Sequence, residues 1–91
     1  MELRLKGFGI IEIENATLVD GGDIRIESAD NFEKLAALTD YEITEVYLTE
    51  VDFEWSLVAW LDIPEYDWYS NKTIIIELEN QDEIHILNAF L

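Results

Sequence analysis

From Val51 to Ile63 every odd position is apolar (Val51, Phe53, Trp55, Leu57, Ala59, Leu61, Ile63), while the even positions include Asp52, Glu54, Ser56 and Asp62. A period of two is the pattern of a strand with one face in a core and the other in water, so this stretch commits the chain to a β-sheet. Phe53, Leu57, Trp60 and Leu61 also share a helical face, but aromatic and β-branched residues predominate and favour strand. A usual strand has about five or six residues, so a run from 51 to 63 should bend, bulge or break, and Ser56 to Ala59 is the expected place. On such a strand Asp52 and Glu54, together with Glu50, project from alternate residues of one face, about 6–7 Å apart at a rise of about 3.3 Å per residue. A row of carboxylates at that spacing has the outline of a phosphate backbone.

The chain before this stretch alternates in the same way. Leu3 and Leu5 oppose Arg4 and Lys6, Gly7-Phe8-Gly9 interrupts, and Ile11 and Ile13 then oppose Glu12 and Glu14. Asn15 marks a bulge before Ala16 to Val19. Asp20-Gly21-Gly22-Asp23 is a hairpin signal, because glycine takes the positive φ of tight turns; it sets Leu18 opposite Ile24 and Ala16 opposite Ile26, with Arg25 and Glu27 in water. Residues 1–28 therefore read as a three-stranded antiparallel meander. The period then changes: Asp30 as N-cap, Glu33 as capping-box partner and the stripe Phe32, Leu35, Ala36, Leu38 predict a helix over about 30–38. Tyr41 to Leu48 reads as strand, and Pro64 to Lys72 as an aromatic, acidic loop. Thr73 to Glu79 reads as strand again. Asn80-Gln81-Asp82 turns it into a last strand, Glu83 to Leu87, with Leu78 opposite Ile84 and His85 opposite Glu77. The expected fold class is α+β, mainly antiparallel β-sheet of about six strands, with one short helix packed on one face, and residues 1–91 as a single domain.

The charge is the outlier. Twenty-one Asp and Glu against five Lys and Arg give a formal net of −16, yet 49% of the residues are hydrophobic, enough to build a core despite the self-repulsion. Residues 1–38 carry eight acids and four bases, residues 39–91 thirteen acids and one base, so the negative field belongs mainly to the second half. Such a field repels nucleic acid and anionic membrane, and its natural complement is a basic protein surface. The plain alternative is a solvated acidic surface that serves solubility or salt adaptation. The chain has no cysteine, which fits a reducing cytoplasm, and no stretch approaches a signal peptide or a membrane span.

The residue types speak against catalysis. Without cysteine, with the single His85 far from any serine at motif spacing, and with no phosphate-cradling loop, nucleophilic chemistry has no carrier. Asp20 to Asp30 misses the register of a calcium loop, and Asp62, Glu65 and Asp67 form only a loose cluster, so neither metal nor cofactor is expected. Interfaces, by contrast, are enriched in Trp and Tyr, and acids steer a basic partner. The candidate partner-binding residues are accordingly Glu45, Glu50, Asp52, Glu54, Asp62, Glu65, Asp67, Trp68 and Tyr69.

Small, cysteine-free, strongly acidic chains of this size resemble proteins of phages and mobile elements, including anti-CRISPR proteins and other nucleic-acid mimics that inhibit defence enzymes. The opening Gly9-Ile10-Ile11-Glu12-Ile13-Glu14-Asn15-Ala16-Thr17-Leu18, followed by Asp23-Ile24-Arg25-Ile26-Glu27 and Asp30-Asn31-Phe32-Glu33-Lys34-Leu35, is similar in style to small phage-encoded β-meander proteins. The resemblance covers general character and about a third of the chain in pattern, and carries no functional residue across. It implies a non-enzymatic inhibitor in the host-cell cytoplasm whose partner is a basic nucleic-acid-binding protein such as a Cas effector. It implies no direct contact with nucleic acid or membrane, and leaves pairing with a second copy open. The alternative is a small phage structural or assembly protein working through strand and aromatic-loop contacts.

Overall fold

The computed structural model describes residues 1–63, 72–89 and 91. Among these residues six strands stand in the sheet in chain order, each antiparallel to its neighbours: β1 (Glu2–Leu5), β2 (Gly9–Leu18), β3 (Ile24–Asp30), β4 (Glu42–Val51), β5 (Glu54–Asp62) and β6 (Thr73–Glu77). Among the described residues two short α-helices accompany them, α1 (Phe32–Ala36) after β3 and α2 (Glu83–Ala89) after β6. The fold is thus α+β with a mainly antiparallel sheet, as the alternation predicts, with a second helix added. None of its helices is long and apolar enough to cross a membrane, among the described residues.

The sheet curls into an incomplete barrel. Leu78, just past β6, bridges to Leu5 of β1; the Lys6 N–H donates to the Glu77 carbonyl at 2.9 Å and the Glu79 N–H to the Arg4 carbonyl at 2.9 Å. First and last strands therefore meet at one corner and protect each other's edge there. The alternating apolar side chains converge inside: Leu3, Leu5, Ile11, Ile13, Ile24, Ile26, Val46, Leu48, Leu57, Ala59 and Leu78 are buried, joined by Leu35 from α1 and by Ile84 and Leu87 from α2. Each fully buried aliphatic side chain of this kind contributes about 1.5–3 kcal/mol by leaving water.

The meander has the expected register. Leu18 lies opposite Ile24 and Ala16 opposite Ile26, and the pairing slips on either side of Asn15, where the bulge is expected. Gly21 and Gly22 hold φ of 88° and 89°, the left-handed region that makes glycine necessary in this turn.

Three expectations are corrected. Residues 51–63 are not one strand: Val51 pairs with Glu54, and Asp52-Phe53 is a two-residue turn that separates β4 from β5. The break falls before Ser56, and β5 runs unbroken through Ser56–Ala59. The odd-position run merged residues from both sides of the turn. Trp55, Leu57, Ala59 and Leu61 share the inward side of β5, whereas Phe53 sits in the turn and is 96% exposed.

The first helix is shorter than 30–38 and is not capped by Asp30, which closes β3. Asn31 holds the cap position at φ 72° with no side-chain cap bond, and its Nδ2 donates instead to the Ile10 carbonyl at 3.3 Å. Leu38 lies beyond the helix and is exposed.

Glu83 to Leu87 is helix rather than strand. Leu78 is already bridged to Leu5, and the Gln81 side chain takes the next pairing position. It accepts from the Trp55 N–H and donates to the Trp55 carbonyl at 3.0 Å and the Leu78 carbonyl at 3.1 Å. With the sheet continued by a side chain, the main chain turns away, and a helix buries Ile84 and Leu87 one turn apart. His85 is consequently exposed on α2 and not opposite Glu77, which binds Lys6.

Candidate functional site

The β4–β5 hairpin carries five of the nine residues expected to bind a partner and places them in two groups. Glu50, Asp52 and Glu54 gather at its tip; Glu45 and Asp62 lie toward its opposite end. From Glu54 to Asp62 the strand extends about 26 Å at about 3.3 Å per residue. Glu65, Asp67, Trp68 and Tyr69 lie outside the described residues.

The tip does not display the single-faced row that an unbroken strand would give. Glu50 lies opposite Trp55 and continues the inward side of Val46 and Leu48 past the end of the core, while Glu54 opposite Val51 starts the outward side of β5. Asp52 is in the turn itself. The three carboxylates therefore surround the tip, and Phe53 stands among them with 96% of its surface exposed. Asp52 and Phe53 hold φ of 52° and 70°, both left-handed, as a two-residue hairpin that matches the twist of its strands requires. Asn-Gly meets that requirement with little strain; a phenylalanine does not, because its Cβ crowds the following carbonyl.

At the other end, Glu42 and Asp62 are directly opposed on the ladder, a like-charge pair that works against the fold. A bulge at Thr44 brings Glu45 opposite Trp60. Glu45 is partly compensated, with an Oε1 at 3.7 Å from the Arg25 guanidinium. Between the two ends the outward face is apolar: Tyr47 pairs with Val58, which pairs with Ile75, and Trp60 and Ile75 are 41% and 53% exposed.

Compensation elsewhere is sparse. Among the described residues only Glu12, Glu27, Glu45 and Glu77 have a cation within 4.0 Å; Glu50, Asp52 and Asp62 have none at that distance, and Glu54 feels Lys6 only from farther away. Lys6 is set among acids. Its Nζ donates to the Glu77 carboxylate at 2.8 Å, and that bond, with the charges of Glu77, Glu54 and Glu79, holds its pKa above the ordinary lysine value. No three carboxylate or imidazole groups converge as metal ligands would, among the described residues.

Phe53, Glu42 and Ile75 are the residues that reading the sequence missed. A signal for the turn was present in the near mirror symmetry about Asp52-Phe53, where Leu48, Thr49 and Val46 meet Leu57, Ser56 and Ala59. Comparison of the chain with protein-family models, with curated proteins and with solved structures found no match.

Proposed function

We propose that this protein is a non-enzymatic inhibitor that uses the β4–β5 hairpin to occupy a basic, nucleic-acid-binding channel of another protein. The observation that carries this reading is Phe53. A left-handed conformation costs an ordinary residue about 1–2 kcal/mol, and the exposed ring recovers nothing within the fold. Strain retained at an exposed aromatic tip is accounted for by contact with another molecule. Aromatic side chains serve as anchors that fill a partner's pocket, and the carboxylates of Glu50, Asp52 and Glu54 around the ring would steer it toward cationic surroundings. Glu45 and Asp62, with Trp60 between the two groups, extend the contact along the hairpin. The resemblance to acidic inhibitors carried by phages and mobile elements supports a defence nuclease, such as a Cas effector, as the owner of the channel.

The test is DNA cleavage by a panel of purified RNA-guided nuclease complexes with this protein added. Inhibition should weaken steeply with salt, be relieved by excess target DNA, and be lost on combined reversal of Glu50, Asp52 and Glu54 to Lys. Phe53→Gly should weaken it about tenfold or more, as loss of an interface anchor does. Unimpaired cleavage across the panel, or full inhibition by both variants, would remove this reading. A second reading, a phage structural or assembly protein, is favoured by the exposed Trp60 and Ile75 on the outward sheet face. A strict monomer by light scattering at high concentration would count against it.

A further inference from the structure

A second binding site lies where the sheet splits. β3 and β4 are joined by only two paired positions, Ile24 with Leu48 and Arg25 with Tyr47. Beyond them residues 26–30 pair with β2 alone and residues 42–46 with β5 alone, so two strand edges face each other without ladder bonds, among the described residues. Unpaired edges of this kind are the template on which extended segments add. The split forms a cleft of about 520 Å³, closed on one side by Phe32 and Glu33 of α1.

We propose that this cleft takes an extended basic segment of a partner protein, in which Lys or Arg alternates with apolar residues. The alternation follows from the walls. Ile26 and Val46 point inward and are buried, and Ile43 lies partly buried against the same core, giving the apolar side of the cleft. Glu27, Glu42 and Glu45 give its outward side and Glu33 its rim. A strand presents successive side chains to opposite faces, so one lying in the cleft would meet carboxylates and apolar groups at alternate positions. Arg25, at the closed end, lies 3.7 Å from both Glu27 and Glu45 and shows that cations are drawn to this wall. A second copy of this chain is a poor occupant, because each copy carries a net charge of −16.

This inference does not rest on the hairpin reading, although Glu45 lies in both surfaces. The probe is a short fluorescent peptide of alternating lysine and valine, with a control of the same sequence methylated at alternate backbone amides, which keeps the charge but blocks one edge, so that it cannot pair with both walls of the cleft. Binding at low ionic strength should perturb the amides of residues 26–30 and 42–46 in NMR spectra, and the methylated control should bind at least tenfold more weakly. The combined exposed changes Glu27→Gln, Glu33→Gln and Glu42→Gln, with the fold checked by circular dichroism, should weaken binding about tenfold. Phe53→Gly should leave it unchanged. Equal binding of the methylated peptide, perturbation centred on residues 50–54, self-association in place of peptide binding, or no binding at all would overturn the proposal.

Discussion

Two hairpins of this sheet solve the same problem in opposite ways. The β2–β3 connection reverses through Gly21 and Gly22 at φ of 88° and 89°, where the absence of a Cβ removes the strain; the apolar side chain exposed beside it, Leu18, belongs to the end of β2 and not to the reversing residues. The β4–β5 connection reverses through Asp52 and Phe53 at 52° and 70°, both carrying side chains, one of them aromatic and almost wholly exposed. The first turn uses residues that suit its backbone. The second places in the same backbone region a residue that disfavours it, which separates a turn serving the fold from one whose side chain serves something outside it.

That contrast can be broken by exchanging the chemistry of the two turns. Gly22→Val puts a β-branched residue at φ 89°, and should destabilise by about 1–2 kcal/mol or more, read as a lower urea midpoint. Phe53→Gly should move the midpoint the other way by a similar amount, about 1–2 kcal/mol, while weakening inhibition. A loss of stability on Phe53→Gly would show that the ring supports the hairpin, and the contrast would fail.

The far end of the same hairpin sharpens it. Asp62→Lys turns the opposed Glu42–Asp62 pair into an attractive one and should raise stability by about 0.2–1 kcal/mol, an effect that shrinks as salt is added. No gain in thermal midpoint at low salt would mean that the two carboxylates do not feel each other across the ladder.

The smallest effect concerns the corner where β1 meets the end of β6. Lys6 has a folded-state pKa above its unfolded value, because the Glu77 hydrogen bond and the neighbouring acids favour its charged form. Its contribution to stability is therefore complete below the ordinary lysine value and disappears as pH rises through the higher folded-state value. The pair is exposed, so Lys6→Met should lower the midpoint only slightly at neutral pH, and the gap between variant and parent should close in strong alkali. A gap that persists there would assign the effect to packing of the lysine stem.

Much of the fold was legible in the residues. The inward faces of β1 to β3, the bulge at Asn15 and the register of Leu18 on Ile24 all follow from alternation and from a glycine turn, which act over a few residues and need no distant partner. The site was legible only in part. That Glu50, Asp52 and Glu54 belong together could be read from their spacing; that they encircle a turn, with Phe53 between them, was signalled only by the near mirror symmetry of the flanking residues. Asp-Phe is not a turn signal, and apolar residues at 51 and 53 kept the alternation in phase through it.

Composition and local periodicity by themselves determined that this is a strongly acidic antiparallel β domain with an apolar interior, because backbone pleat and glycine freedom are properties of short segments. Tertiary structure alone decided that β1 closes on the end of β6, that Gln81 takes over the pairing and sends residues 83–89 into a helix, and that β3 and β4 part after two paired positions. The physical reason is that a period-two segment states which side chains share a face. Which edge is still free to receive it depends on strands far away in the chain.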